Sequence, residues 1–346
     1  NHLSAARMPD YFGKRYLSKP LKIAASAIAF VFLIPYTASV YNGLSRLFGI
    51  AFDIPYSVCV IAMAVLTGIY VILGGYMATA INDIIQGIIM LFGICAVIVS
   101  VLNVQGGFLN AVIQLSTIES DVPATLGQQG AFASFFGPGP ANLLGVVILT
   151  SLGTWGLPQM VHKFYTIKDE RSIRTGTVVS TLFAVVISGG CYFLGGFARL
   201  FDDPAIYSAT GAIVYDSIIP FMLSKLSDIL MGIVVMLVLS ASMSTLSSLV
   251  LTSSSTLTLD FLKGNVIKKM DDKKQLLIMR ILIVFFIVIS VVLALNPPTF
   301  IAQLMGISWG ALAGAFLAPF LYGLYWKKVT RAGVWAGFAA GVGITV

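Results

Sequence analysis

Charge is what this sequence has least of. Only 10% of its 346 residues are Asp, Glu, Lys or Arg, where a soluble globular chain carries about a quarter. At 58% hydrophobic residues and a mean hydropathy of +0.95, a soluble chain would expose large apolar patches and aggregate. Cysteine is nearly as scarce: Cys59, Cys95 and Cys191 all lie in apolar runs and form no CxxC pair, which excludes a disulfide framework. The two histidines, His2 and His162, belong to no Cys/His/carboxylate cluster, so no metal-protease motif is present. No GxxxxGK[ST] loop appears, which excludes an ATP-driven pump built on that motif. No catalytic pair suggests an enzyme. The formal charge of +7 does not point to nucleic acid, because the basic residues sit between apolar runs, where they set membrane topology.

What is present in quantity is apolar sequence. Runs of the roughly 20 residues needed to cross a bilayer fall at 23–47, 56–76, 84–103, 143–161, 177–198, 229–251, 276–295 and 301–325. A ninth begins at Gly333 and stops at Val346, too short to cross, so the chain reads as cut at that end. The first 22 residues are polar and basic, like a loop between helices. Alternate loops collect the basic residues. One side holds Arg7, Lys14, Arg15, Lys19 and Lys22; Lys163, Lys168, Arg171 and Arg174; Lys263, Lys268, Lys269, Lys273, Lys274 and Arg280; and Lys327, Lys328 and Arg331. The other holds Arg46, Arg199 and Lys225. The positive-inside rule places the basic loops in the cytoplasm and the Lys/Arg-free loop 104–142 outside. No soluble domain interrupts the pattern, so residues 1–346 read as a single membrane domain.

Polar residues in a bilayer core must be satisfied internally and call for a reason. The densest group is Ser240–Thr258, SASMSTLSSLVLTSSSTLT, in which twelve of 19 residues are Ser or Thr. Helical spacing lets Ser244, Thr245, Ser247 and Ser248 present hydroxyls on adjacent faces of one helix, with Ala241 one turn earlier. Such neutral oxygens suit a hard monovalent cation. The competing account is that they donate to carbonyls one turn back and allow close helix packing. Asp83 reads either as an interfacial helix cap or as a charge partner for a cation. In SLGTWGLPQM (151–160) two glycines and a proline interrupt an apolar run, which predicts a broken helix around residues 154–157. The first span carries the polar stretch IPYTASVYNG (34–43), for which packing and solute contact are both open.

Four segments resemble the sodium:solute symporter family: MPDYFGKRY (8–16), GGYMATAINDIIQG (74–87), SASMSTLSSLVLTSSSTLTLDFL (240–262) and APFLYGLYWKKVTRAGVWAG (318–337). The resemblance runs along essentially the whole chain. It implies an all-α membrane protein with the LeuT-type inverted-repeat fold, truncated at both ends to about eight full spans plus a partial ninth. It also implies a sodium site at Ala241, Ser244 and Thr245, and a second at Asp83, Ser247 and Ser248. Solute contacts would fall on Tyr36, Thr37, Thr154, Trp155, Gln303, Ser308 and Trp309. The expected partners are Na⁺ as coupling ion, a small polar solute and the lipid bilayer, with no other cofactor, no nucleic acid and no enzymatic activity. Proline or another amino acid is the first expectation for the solute. A carboxylate of the pantothenate type, a sugar, or an uncoupled channel or sensor on the same scaffold are the alternatives.

Overall fold

The structure is a computed structural model that describes residues 5–164, 167, 169–208, 210–263, 265–267 and 270–346; for 74–82, 163, 164 and 205 it describes the backbone alone. Of the positions singled out above, His2, Lys168, Lys268 and Lys269 lie outside the described residues. So do the side chains of Lys163 and of 74–82, which hold most of the second family-like segment.

Among the described residues the chain is helical, without sheets: α1 Met8–Arg15, α2 Lys19–Phe52, α3 Tyr56–Val104, α4 Phe108–Thr117, α5 Pro140–Ser151, α6 Pro158–Phe164, α7 Glu170–Gly196, α8 Tyr215–Ser224, α9 Asp228–Thr256, α10 Asp272–Leu295, α11 Ile301–Tyr325 and α12 Arg331–Thr345. Their starts follow from local chemistry. Asp169 accepts a hydrogen bond from the Ser172 N–H (2.7 Å), Asp271 from Lys274 (3.2 Å) and Thr330 from Gly333 (3.2 Å), each satisfying a donor that has no partner in the first turn. The α9 helix ends in a π-helical turn, Leu257–Leu262.

Among the described residues seven stretches are long and apolar enough to cross a membrane, and the protein is a multi-pass membrane protein. The expected eighth, 143–161, is not one helix. It stops at Ser151, tightens into a 3₁₀ turn at Gly153–Gly156, becomes extended at Leu157 (φ −84°, ψ 121°) and restarts at Pro158. Pro158 has no N–H to continue the preceding helix's hydrogen bonding and suits the first position of a new one, and the two glycines let the turn approach α11 closely. Runs 56–76 and 84–103 join in one 49-residue helix, α3. It is not a straight rod. The Thr67 hydroxyl meets the Met243 sulfur at 3.8 Å, and Gly93 packs against Leu237. Thr67 and Gly93 would be about 39 Å apart in a straight helix, while their partners on α9 are about 9 Å apart. So α3 bends between them and both halves lie on α9.

α2 is central. It packs against α1, α3, α9, α10 and α11, and buries Leu33, Tyr41 and Leu44 in the main core. Without water to drive association, membrane helices meet through close packing. The α11–α12 crossing shows this: a methyl group on Gly341 would lie 2.1 Å from the Ala315 nitrogen. The α1 helix docks on the end of α11. Arg15 donates to the carbonyls of Gly323 (2.7 Å) and Trp326 (3.2 Å), the Tyr16 hydroxyl donates to the Pro319 carbonyl (2.7 Å), and Arg331 donates to the Tyr16 carbonyl (2.7 Å). Basic side chains suit the partial negative charge of a helix C-terminus. Two of the family-like segments, 8–16 and 318–337, are thereby one unit in space.

Candidate functional site

On α2, Pro35 removes a backbone donor and the neighbouring hydroxyls turn onto the chain. Thr37 donates to the Leu33 carbonyl (2.9 Å) and Ser39 to that of Tyr36 (2.7 Å). Facing this stretch across the core is the hydroxyl-rich part of α9. Between them and α8 and α11 opens a cleft of about 740 Å³, with Tyr36, Ser39, Ala241, Ser242 and Thr245 in its walls and Asp216 and Tyr215 from α8 beside them. Leu44, Leu47, Val238 and Met305 make the rest largely apolar, which is the usual make-up of a small-molecule site.

The residues expected at the first cation site are brought together. Ala241, Ser244 and Thr245 share one half-buried face of α9. The Thr245 hydroxyl donates to the Ala241 carbonyl at 2.9 Å, so the back-bonded arrangement is the one seen. Ser247 donates to the Ser244 carbonyl at 3.0 Å. Ser244 and Ser248 make no hydroxyl hydrogen bond to another described residue. Asp83 is half-buried on α3.

The residues expected to meet solute divide. Tyr36 lines the cleft and stands edge-on to Trp309, with ring centroids 5.6 Å apart and planes at 85°. Thr37 and Ser308 are fully buried. Ser308 donates to the Phe32 carbonyl, which ties α11 to α2 and leaves that hydroxyl in the packing rather than in the cleft. Gln303 is exposed and accepts from the Thr299 hydroxyl. Thr154 donates to the Ser151 carbonyl at 2.8 Å, and Trp155 is 56% exposed. The broken turn itself is held on α11, because a methyl group on Gly156 would come within 2.8 Å of the Ala313 Cα.

Sequence reasoning missed two features. The Gln159 amide, 3% exposed, has no hydrogen-bond partner among the described residues; the signal for it was its place directly after the proline of the break. Asp216 closes one end of the cleft. It accepts from the Asn42 amide (3.3 Å) and from the Ile301 N–H at the start of α11 (3.0 Å), and lies 3.9 Å from the Arg46 guanidinium. Arg46 in turn donates to Asn42 at 2.7 Å. One carboxylate thus joins α8, α2 and α11. Arg46 was one of only three basic residues outside the basic loops, and Asn42 belongs to the polar stretch already noted.

The sequence profile of the family described as "SSF: Sodium:solute symporter family" matches residues 2–341. The chain belongs to the sodium:solute symporter family. The sodium/proline symporter of Staphylococcus aureus is 30% identical over 99% of this chain, and that of strain JH9 is 29% identical over the same share. The chain spans 65% of the length of each. A solved structure of a Na⁺-coupled sialic acid symporter, described as the substrate-bound outward-open state with a novel Na⁺ site, superposes with a TM-score of 0.73 over 98% of this chain and 75% of that one, at 14% identity. That likeness supports the fold expected above, an all-α LeuT-type arrangement.

Proposed function

We propose that the full-length protein couples inward Na⁺ flow to uptake of a small polar solute. The observation that carries this reading is the cleft of a sodium:solute symporter in whose walls Ala241 and Thr245 of α9 stand with Tyr36 of α2. In this reading the Thr245 hydroxyl turns from the Ala241 carbonyl, and both oxygens, with that of Ser244, hold Na⁺. Asp83, Ser247 and Ser248 hold a second ion, the carboxylate supplying a full charge. Tyr36, Trp309, Thr37, Thr154 and Trp155 bound the solute region, with Gln303 and Ser308 at its margin. The relatives named for proline support an amino acid, proline first, as the solute. The basic loops face the cytoplasm, because charge asymmetry of this kind sets orientation.

A membrane potential contributes about 2.3 kcal/mol per charge per 100 mV. With about 1.4 kcal/mol per tenfold, one Na⁺ moving down its potential and concentration gradients can support roughly a hundredfold solute gradient. The test is uptake of labelled proline, pantothenate and sugars into liposomes with and without a Na⁺ gradient. Thr245→Ala and Ser244→Ala should raise the half-saturating Na⁺ concentration strongly while the protein still folds. Asp83→Asn should lower the Na⁺ Hill coefficient toward one. Uptake with unchanged Na⁺ half-saturation in all three variants would leave the hydroxyls as packing groups only.

A further inference from the structure

At the end of the molecule opposite Asp216, a second cavity of about 470 Å³ is lined by Asp10, Lys14, Lys19, Lys22, Lys263 and the turn around Leu17 and Ser18. Lys22 and Arg46 lie at opposite ends of α2, 24 residues or about 36 Å apart, close to the ~30 Å thickness of a bilayer core. The cavity therefore sits where α2 enters the membrane. Ile23 is the first residue of the apolar run, one turn after Lys19.

Four lysines from three segments line this cavity, and Asp10 is the one carboxylate among its lining residues. Asp10 is shared by Lys14 (2.9 Å) and Lys22 (3.0 Å), and Lys22 also reaches the buried Asp260 at 3.0 Å. Lys19 makes no ion pair among the described residues, and Lys263 is held only by the neutral Gln275 amide at 2.6 Å. The cavity thus keeps an excess of positive charge that no described side chain offsets. Its rim is apolar on one side: Leu17, in the left-handed region at φ 48°, is 79% exposed beside the lysines. Such a pairing of an exposed leucine with lysines at the depth of a helix entry matches a lipid, whose phosphate meets the ammonium groups and whose glycerol and acyl region meets the leucine.

We infer that this cavity is a binding site for the phosphate headgroup of an anionic membrane lipid, in the leaflet that faces α1. The phosphate lies between Lys19 and Lys263, near the N-terminus of α2, whose partial positive charge adds to theirs. Lys14 and Lys22 border it and remain tied to Asp10. The site does not depend on the coupling reading above, since it needs only the membrane placement of α2.

The experiment uses the full-length protein in mixed micelles of detergent and phosphatidylcholine, with the thermal unfolding midpoint followed as phosphatidylglycerol is added. The expected result is a saturable rise with phosphatidylglycerol and none with added phosphatidylcholine. Lys19→Gln with Lys263→Gln should raise the half-saturating lipid fraction about thirtyfold. Lys327→Gln with Lys328→Gln, exposed at the α11–α12 turn, should leave it unchanged. Asp10→Asn should lower it, a gain that a damaged protein does not give. Equal weakening in both lysine pairs would show a diffuse surface attraction and overturn the site. An equal, saturable rise with millimolar inorganic phosphate would overturn the lipid as its occupant. An absent shift, or no change in either the Lys19/Lys263 or the Asp10 variant, would overturn the proposal.

Discussion

Asp260 offers the sharpest test of how this bundle is held together. It lies in the π-helical turn that ends α9 and is fully buried. Its carboxylate accepts from Arg7 twice, at 2.6 and 3.0 Å, and faces the Lys22 ammonium at 3.0 Å. At 3.0 Å and an effective dielectric of about 20, one such pair is worth about 5.5 kcal/mol of Coulomb energy. Desolvation of the buried carboxylate offsets much of that, so the pair adds little over a well-packed apolar replacement. Removing one partner alone is different. Asp260→Asn leaves Arg7, whose side chain is 16% exposed, facing a neutral amide, while Lys22 keeps Asp10. The expected cost is about 3 kcal/mol, the low end for an uncompensated buried charge. For a chain of this size that corresponds to a fall of roughly 4 °C in the unfolding midpoint. Asp260→Leu combined with Arg7→Met removes both charges and should recover most of the loss. Thermal unfolding in detergent, followed by tryptophan fluorescence, measures all the variants. If the double variant falls by the sum of its singles, within about 0.5 kcal/mol, the two side chains are not coupled and the reasoning is wrong.

Asp10 carries a pH signature. Burial alone would raise its pKa, but hydrogen bonds from Lys14 and Lys22 outweigh burial and hold it below the ordinary 3.8. A carboxylate whose folded pKa is depressed stabilises fully above its unfolded value and loses that contribution as pH falls through the folded one. Stability owed to Asp10 should thus be constant above about pH 5 and fade below about pH 4, and Asp10→Asn should abolish this component of the acid-unfolding profile. Gly156→Ala drives a methyl group to 2.8 Å from the Ala313 Cα and 3.1 Å from the Leu317 nitrogen. Both are backbone atoms of α11 that cannot turn aside. The variant should lose about 1–3 kcal/mol of stability and shift the broken turn off α11, whereas Gly145→Ala, with nothing within 4 Å, should be neutral in the same unfolding assay.

The sequence alone determined the class of this protein. Scarce charge and repeated apolar runs require a membrane, because no folded soluble chain can cover so much apolar surface. Gly153, Gly156 and Pro158 forced the break in the fourth run through local backbone chemistry, and Asp169, Asp271 and Thr330 set helix starts for the same reason. The hydroxyls of α9 were legible as a group, since a helical period fixes which positions share a face. What they bond to was not. Thr245 meets Ala241 one turn away, but Ser308 donates to Phe32 from 276 residues away, and no periodicity encodes such a distance. The same holds for Asp216, which no motif in the sequence marks and which folding sets against Asn42, Arg46 and the first N–H of α11. The bend that returns both halves of α3 to α9 likewise depends on contacts of Thr67 and Gly93 with another helix. Local pattern decides where helices form and which face is polar. Which polar faces meet depends on how the helices pack, and only the tertiary structure supplies that.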